Sequence, residues 1–289
     1  MSYILHLLIF FQIYAVVAMS LNLLIGYGGL LQVAHAAYFG VGAYTAALLW
    51  TKIGVGFIPG LLGAALMSCV LSLLVSLSAW RFRGDYFVMI SLAVQVVLYS
   101  LMYNCMDITN GPYGITAIPK PTIIGSVYAT QGAIFAIYAV VVGLLAIVLA
   151  AAKQSPFGRS LQAMRDDELA ARSLGIPVRR LKVEAFMLAS AMVGVAGGLY
   201  ASYISYIDPT SFTLDESILM LSMVIVGGTG NVRGPLIGAA ALIAIPELLR
   251  FLAMPDAMAA NVRLLAYGLL LIIMMHWRPQ GLAGRYRFE

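Results

Sequence analysis

The stretch QGAIFAIYAVVVGLLAIVLAAA, residues 131–152, contains no charged side chain. A helix of this length spans about 33 Å, which matches the roughly 30 Å hydrocarbon core of a bilayer. It is followed by SPFGRSLQAMRDDELAARSLG, residues 155–175, which we call the polar segment. An apolar run that gives way to charged, helix-forming sequence predicts a membrane protein with a structured loop at one membrane surface.

The composition of the whole chain supports a membrane protein. Hydrophobic residues make up 62% and charged residues 10% of the 289 positions, against about a quarter charged in soluble domains. One water-soluble core cannot bury that much apolar surface. The net charge of +5 is scattered between apolar runs, so we expect membrane lipid and no nucleic acid as a partner. Cys69 and Cys105 form neither a disulfide framework nor a metal-binding pattern.

Apolar runs long enough to cross a membrane, about 20 residues each, recur along the chain. They lie at 3–25, 33–51, 58–80, 86–104, 131–152, 183–206, 216–253 and 262–276. The glycine-rich stretch 227–235 interrupts one of them and is either a tight turn between spans or a broken helix that lines a cavity. We predict an all-α, polytopic membrane protein with eight or nine transmembrane helices, some broken or re-entrant, forming a single transmembrane domain over 1–289.

The distribution of basic residues predicts the orientation. With the N-terminus outside, all 17 Lys and Arg residues lie on the inner side except Lys52, Lys120, Arg250 and Arg263. Because cytoplasmic loops carry the excess of basic residues, we expect residues 153–182 and the C-terminus to be cytoplasmic.

Small residues in the 183–206 run recur every fourth position, at Ser190, Gly194, Gly198 and Ser202. On a helix this spacing makes one flat stripe, against which a neighbouring backbone can pack closely. We predict close helix packing here, with direct contact to a transported molecule as the alternative.

Ionisable groups and glycine breaks inside the spans are candidates for a translocation pathway. His35 follows the glycine break at 26–29, and its alternative role is to hydrogen-bond backbone groups freed by that break. Glu247 follows Pro246 in a later span. The pathway candidates are His35, Gly28, Gly29, Gly227, Gly228 and Glu247.

The chain carries no recognisable enzymatic motif. No Gly-Lys pair occurs, so the glycine-rich 227–235 stretch is not a nucleotide-binding loop. The sequence also shows no cluster of metal ligands and no nucleophile elbow. We expect a protein that is not an enzyme and that binds neither a metal nor a cofactor itself.

The polar segment has the signals of two short helices. Ser155-Pro156 is a helix start, and Phe157, Leu161 and Met164 form one apolar ridge. We predict that Asp166 caps a second helix over 167–174, which Gly175 ends. Such a pair of amphipathic helices is suited to docking in a groove of a soluble protein; a plain solvated linker is the alternative.

The polar segment resembles the coupling loop of permease subunits of ATP-binding-cassette importers, in which Glu-Ala-Ala is followed by Gly. Ala170, Ala171 and Gly175 match that spacing, whereas Leu169 stands first and Glu168 is displaced by one position. The whole chain is similar to the M-type branched-chain amino acid permeases. The matching motifs, in the family's order, are AHAAYFGVGAY (34–44), RGDY (83–86), TNGPYG (109–114), the polar segment and VGGTGNVRGP (226–235).

The resemblance implies an importer in the bacterial inner membrane, made of this permease, a second homologous permease, two cytoplasmic ATPases and a periplasmic solute-binding protein. ATP and Mg would be used by the ATPases, and this subunit would bind no cofactor. The cytoplasmic coupling loop would be 153–182. The residues implied in ATPase coupling are Phe157, Arg159, Arg165, Asp166, Asp167, Glu168, Ala170, Ala171 and Gly175.

Two other functions stay open. Importers of urea and short-chain amides use similar permeases, and the external binding protein does much of the cargo selection. An ion-coupled secondary transporter is the second alternative, but it needs buried carboxylates, of which Glu247 is the only candidate that we identify from sequence. A membrane enzyme is disfavoured because no catalytic constellation is found.

Overall fold

The computed structural model describes residues 2–79, 82, 84–123, 126–128, 130–250, 256–277 and 280–283. Within these ranges the chain is almost entirely helical. Its helices are α1 (Ser2–Asn22), α2 (His35–Leu48), α3 (Phe57–Ser78), α4 (Asp85–Asn104), α5 (Met106–Thr109), α6 (Gln131–Gln154), α7 (Pro156–Asp166), α8 (Glu168–Ser173), α9 (Val178–Ile204), α10 (Leu214–Gly227), α11 (Arg233–Arg250) and α12 (Asp256–Trp277).

Short elements complete the fold. Five-residue π-helical stretches, Leu23–Tyr27 and Leu49–Ile53, extend α1 and α2, and Gly111–Tyr113 and Pro209–Phe212 are single 3-10 turns. A two-residue antiparallel pair, β1 (Thr122–Ile123) and β2 (Ser126–Val127), places Thr122 opposite Val127.

The prediction of an all-α, polytopic membrane protein is confirmed, and a helix occupies each predicted span. Among the residues that the structure describes, six helical stretches are long and apolar enough to cross a membrane: Tyr3–Tyr27, Phe57–Ser78, Asp85–Asn104, Gln131–Gln154, Val178–Ile204 and Pro209–Gly227. The apolar part of α11, Arg233–Ile245, is shorter. Helix α2 has only 14 residues and lies in the interior. The run at 33–51, which was expected to be a full crossing, therefore contains a short helix that starts inside the bundle.

Helices α2, α3 and α9 pack around the predicted stripe of small residues. A Cβ atom on Gly42 would lie 2.3 Å from the Gly194 carbonyl oxygen, and one on Gly194 would lie 2.4 Å from Ser68 Oγ. A Cβ on Gly198 would meet a Leu61 methyl group at 2.7 Å. The stripe is therefore a surface of close helix packing.

The glycine-rich stretch 227–235 forms a tight turn between α10 and α11. Gly228 and Gly230 have φ angles of 96° and 86°, which favour glycine. The two helices then run so close together that a Cβ on Gly238 would lie 1.8 Å from the Met223 carbonyl oxygen. Of the two alternatives drawn from the sequence, the turn between helices is correct.

The bundle has two distinct ends. We call the end that carries the polar segment the loop end, and the opposite one the far end. At the far end, Lys52 Nζ donates to the Asp107 carbonyl oxygen at 3.3 Å and Lys120 Nζ donates to that of Tyr203 at 2.5 Å. A backbone bridge joins Ile115 to Ile207 there. Lys52 and Lys120, both predicted to lie outside, thus share one end of the bundle.

We expect Gly194→Ala to destabilise the bundle, because the new Cβ would overlap Ser68 and the Ala64 carbonyl oxygen. Overpacking of this kind costs about 1–3 kcal/mol. Gly143→Ala in α6 is the matched control, since its Cβ would meet no described heavy atom within 4 Å and alanine favours a helix by up to about 1 kcal/mol. Unfolding midpoints of the purified protein measure both effects. Equal midpoints for the two variants would contradict the packing assignment.

Candidate functional site

The start of α2 is buried and is capped by side chains from other helices. The first N–H groups of a helix have no partner within the helix, and water cannot replace that partner inside an apolar bundle. Here the Ala36 N–H donates to Ser217 Oγ at 3.0 Å and the Ala37 N–H donates to Gln95 Oε1 at 2.7 Å. The Val33 N–H donates to Ser91 Oγ at 3.0 Å. Helices α4 and α10 thus fix where α2 begins.

His35 is hydrogen-bonded at both ring nitrogens within this network. Ser20 Oγ donates to the Val17 carbonyl oxygen at 2.8 Å, so its lone pair accepts from His35 Nε2 at 2.9 Å. Gln32 Nε2 then donates to His35 Nδ1 at 2.9 Å. These contacts select the neutral ring with its proton on Nε2. These two partners are side chains, and the backbone group that also interacts with the ring, that of Val17, lies within α1 and not at the 26–29 break. A role of His35 in translocation stays a prediction.

The polar segment forms two capped helices, as predicted, with one correction. Ser155 Oγ accepts from the Gly158 N–H at 3.4 Å and so caps α7. Helix α8 is capped by Asp167, whose Oδ1 accepts from the N–H groups of Leu169 and Ala170 at 2.8 and 3.0 Å. The prediction that Asp166 is the cap is wrong, because Asp166 still belongs to α7 and the chain becomes extended at Asp167.

The apolar ridge of α7 faces the bundle. Leu161 and Met164 are buried and Phe157 is half-buried against the core. Gly175, with a φ angle of 80°, terminates the helix pair as expected. Leu169 and Leu174 are 66% and 81% exposed. The exposed surface of the polar segment therefore combines charged and apolar groups. Its exposed residues are Pro156, Arg159, Asp166, Asp167, Leu169, Ala170, Arg172, Ser173, Leu174 and Gly175.

Two cationic side chains fasten the polar segment to the bundle. Arg165 donates to the carbonyl oxygen of Gly26, in the π-helical end of α1. Lys182 is 4% exposed, donates to the Ala79 carbonyl oxygen at 3.2 Å and pairs with Glu168 at 3.3 Å. Cations are favourable at helix C-termini, where carbonyl groups lack partners. Arg165 and Glu168 thus contact this chain's own bundle, and their role in ATPase coupling stays a prediction.

Some of the pathway candidates lie next to this attachment. Gly28 and Gly29 line a cleft of about 290 Å³ together with Asp85, Arg165, Glu168 and Lys182 among others. Gly227 and Gly228 form the α10–α11 turn instead. Glu247 belongs to α11, but its side chain lies outside the described part of the chain. His35 belongs to the separate network at the start of α2.

The structure also reveals polar residues that the sequence reasoning missed. Tyr14 Oη donates to Glu216 Oε1 at 2.5 Å, which joins α1 to α10 with a half-buried carboxylate. Asn22 is 1% exposed, near the end of the first span. The signals were available: Glu216 stands at the first position of the 216–253 run, and Asn22 is an amide in an apolar stretch.

These features define a class of protein: a multi-pass helical membrane protein with a pair of short capped helices attached to one end of its bundle. The family model described as "Branched-chain amino acid transport system / permease component" matches residues 3–275. The chain belongs to this family and is thus a transport protein.

Individual relatives agree with this assignment. The chain is 34% identical to the high-affinity branched-chain amino acid transport system permease protein LivM of Escherichia coli (strain K12), over 94% of this chain and 68% of that protein. It is 25% identical to the probable permease protein LivM of Methanocaldococcus jannaschii, over 96% of this chain and 92% of that protein. Identity to the permease protein LivH of Escherichia coli (strain K12) is 24%, with coverages of 96% and 92%.

We expect Gln95→Leu to lower the free energy of unfolding. Gln95 Oε1 accepts from the Ala37 N–H at the start of α2, and Gln95 Nε2 donates to the Phe212 carbonyl oxygen at 2.9 Å. Each buried group left without a partner costs about 1–3 kcal/mol. Gln154→Leu, at an exposed position, is the control and should have little effect. Chemical unfolding in detergent compares them, and a Gln95→Leu midpoint equal to that of the wild type would exclude the capping role.

Proposed function

We propose that this chain is a permease subunit of an ATP-driven importer, which moves branched-chain amino acids across the bacterial inner membrane by alternating access. The observation that carries this proposal is the attachment of the polar segment. Arg165 and Lys182 hold the helix pair on the bundle while its opposite face stays exposed. A loop held in this way can pass a force from a soluble partner to the membrane helices, which a mobile linker could not.

The cargo is inferred from the family. Relatives named as branched-chain amino acid permeases cover nearly the whole chain. Cells that lack the chromosomal gene, with and without a restored copy, can be compared for uptake of labelled leucine, isoleucine, valine and urea. We expect only the three amino acids to depend on the gene. Dependence of urea uptake alone would assign the chain to the related importers of urea and amides.

The proposed assembly contains this chain, a second homologous permease, two cytoplasmic ATPases and a periplasmic solute-binding protein. The ATPases would bind ATP and Mg, and this subunit would bind no cofactor. Purification of the tagged chain from its own host, followed by mass spectrometry, identifies the bound subunits. A chain that purifies alone and takes up cargo under an ion gradient would be a secondary transporter.

The orientation can be tested with an impermeant thiol reagent on a chain whose Cys69 and Cys105 are replaced by alanine. Because basic residues concentrate in loops on the cytoplasmic side, we expect Asp166→Cys to react only after the cells are permeabilised. Tyr113→Cys, at a position 77% exposed near the far end, should react in intact cells and serves as the control. Reaction of Asp166→Cys from outside would reverse the orientation.

We expect Leu174→Asp to weaken binding of the ATPases, because a carboxylate would replace an apolar side chain that is 81% exposed on the proposed docking face. Loss of a hot-spot residue at the centre of an interface costs at least about 2 kcal/mol, so if Leu174 is such a residue, retention of ATPase on the tagged permease should fall more than tenfold. Tyr113→Asp at the far end is the control. If both variants retain ATPase like the wild type, the exposed face of α8 is not the docking surface.

A further inference from the structure

The two glycine breaks of the chain, at 26–29 and 227–235, meet inside the loop end. Asn22, the last residue of α1, connects them. Its Oδ1 accepts from the Gly230 N–H at 3.3 Å, and its Nδ2 donates to the Asn231 carbonyl oxygen at 2.9 Å. One buried amide thus binds both a donor and an acceptor of the α10–α11 turn, more than 200 residues away along the chain.

Gly26 takes part both in this contact and in the attachment of the polar segment. Its carbonyl oxygen accepts from Arg165. A Cβ on Gly26 would lie 2.1 Å from Asn22 Oδ1 and 2.9 Å from the Gly230 backbone nitrogen. The residue is therefore in contact with the polar segment through its carbonyl group and with the α10–α11 turn through its α carbon.

The π-helical end of α1 makes this arrangement possible. The Leu30 N–H donates to the Leu24 carbonyl oxygen at 2.9 Å, so the chain leaves the helix over residues 24–30. Carbonyl groups in the last turn of a helix have no helical partner, and the guanidinium of Arg165 supplies one for Gly26. A charge-assisted hydrogen bond of this kind is stronger than a neutral one and fixes direction as well as distance.

The contacts continue beyond the turn. Asn231 Oδ1 accepts from the Gly234 N–H at 2.6 Å, at the start of α11, and Asn231 Nδ2 donates to the Ala283 carbonyl oxygen. The N–H groups of Leu282 and Ala283 donate to the carbonyl oxygens of Val226 and Gly227, both at 2.9 Å. The segment 280–283 is thus bound to the end of α10, so that it and the turn form one hydrogen-bonded unit.

We propose that Asn22 is a positioning residue for transport, which passes the movement of the polar segment to helices α10 and α11. The path, which we call the relay, runs from Arg165 through Gly26 and Asn22 to Gly230. When the partner ATPases move the polar segment, Arg165 shifts the end of α1, and the amide of Asn22 moves the α10–α11 turn with it. The inference rests on the proposed function, because it assigns the route by which nucleotide-driven movement reaches the second half of the bundle.

The relay can be tested in the complete importer reconstituted in liposomes, by measuring leucine taken up per ATP hydrolysed. We expect Asn22→Ala to lower this ratio by a factor of about ten, which is within the usual range for coupling between sites. Asn104→Ala is the matched control: its amide is exposed in α4, and among the described residues it donates within its own helix, to the Ser100 carbonyl oxygen at 2.8 Å and to Ser100 Oγ at 3.1 Å. The control should keep the wild-type ratio.

A double variant separates a relay from a general loss of stability. If Arg165 and Asn22 act in series, Arg165→Ala combined with Asn22→Ala should lower the ratio no further than the stronger single variant does. Independent effects that multiply would contradict a single relay.

A distance measurement tests the same idea even where a variant loses activity. Spin labels at Ser160→Cys in α7 and Leu282→Cys in the 280–283 segment report how the two parts move when nucleotide binds, in a chain whose Cys69 and Cys105 are replaced by alanine. In the wild-type background the label distance should stay constant through the cycle, and with Asn22→Ala it should change. A distance that responds to nucleotide identically in both backgrounds would overturn the proposal.

The two hypotheses fail in different ways. If the wild-type complex neither binds ATPases nor transports branched-chain amino acids, the proposed function is wrong. If the wild-type complex transports leucine with stimulated hydrolysis and Asn22→Ala keeps the same ratio, the function stands and the relay is wrong.

Discussion

The structure depends on one constraint: helix ends inside an apolar bundle must find partners for their free backbone groups. Water cannot supply them, and each buried group left unpaired is costly. Neutral side chains meet this need at the start of α2, and cationic side chains meet it where helices end. The caps are Ser91, Gln95 and Ser217 for α2, Arg165 for α1, Lys182 for the end of α3 and Lys120 for α9.

The basic residues consequently have two roles. Their distribution predicts the membrane orientation, and the same side chains stabilise helix C-termini through charge and hydrogen bonding. Lys120 shows what such a contact costs the cation. Its ammonium group has lost part of its hydration in contacting the Tyr203 carbonyl oxygen and ring, and this burial lowers the pKa of the group. Arg165 and Lys182 likewise donate to carbonyl oxygens at helix ends, at the loop end of the bundle. They thereby attach the polar segment to the helices that it is proposed to move.

Local patterns of the sequence predicted much of this fold correctly. Apolar runs located the helices, the four-residue spacing of Gly194 and Gly198 located a surface of close helix packing, and the signals at Ser155 and Gly175 marked the start and end of the helix pair. The misses were of another kind. The cap of α8 is Asp167 and not Asp166, because α7 continues through Asp166 before the backbone becomes extended. Two adjacent aspartates in the sequence do not show at which of them the helix ends.

Long-range partners account for the remaining misses. The sequence does not reveal what the apolar ridge of α7 packs against, why Asn22 is tolerated in an apolar span, or why Glu216 can lie half-buried. All three depend on residues distant in the chain. Glu216 pairs with Tyr14 across 202 positions. A single sequence contains no local signal for such a pair, so the residue types could be noticed but their partners could not.

The buried start of α2 has a consequence for biosynthesis. Helix α2 is among the first elements to leave the ribosome, yet Ser217, which accepts from the Ala36 N–H, follows 181 residues later. At about 5–20 residues per second this delay lasts about 10–40 s. During that time the start of α2 lacks one of its native caps and must remain hydrated or be shielded by the insertion machinery. Helix α2 is therefore synthesised early but completes its native hydrogen bonds only after α10 has entered the membrane.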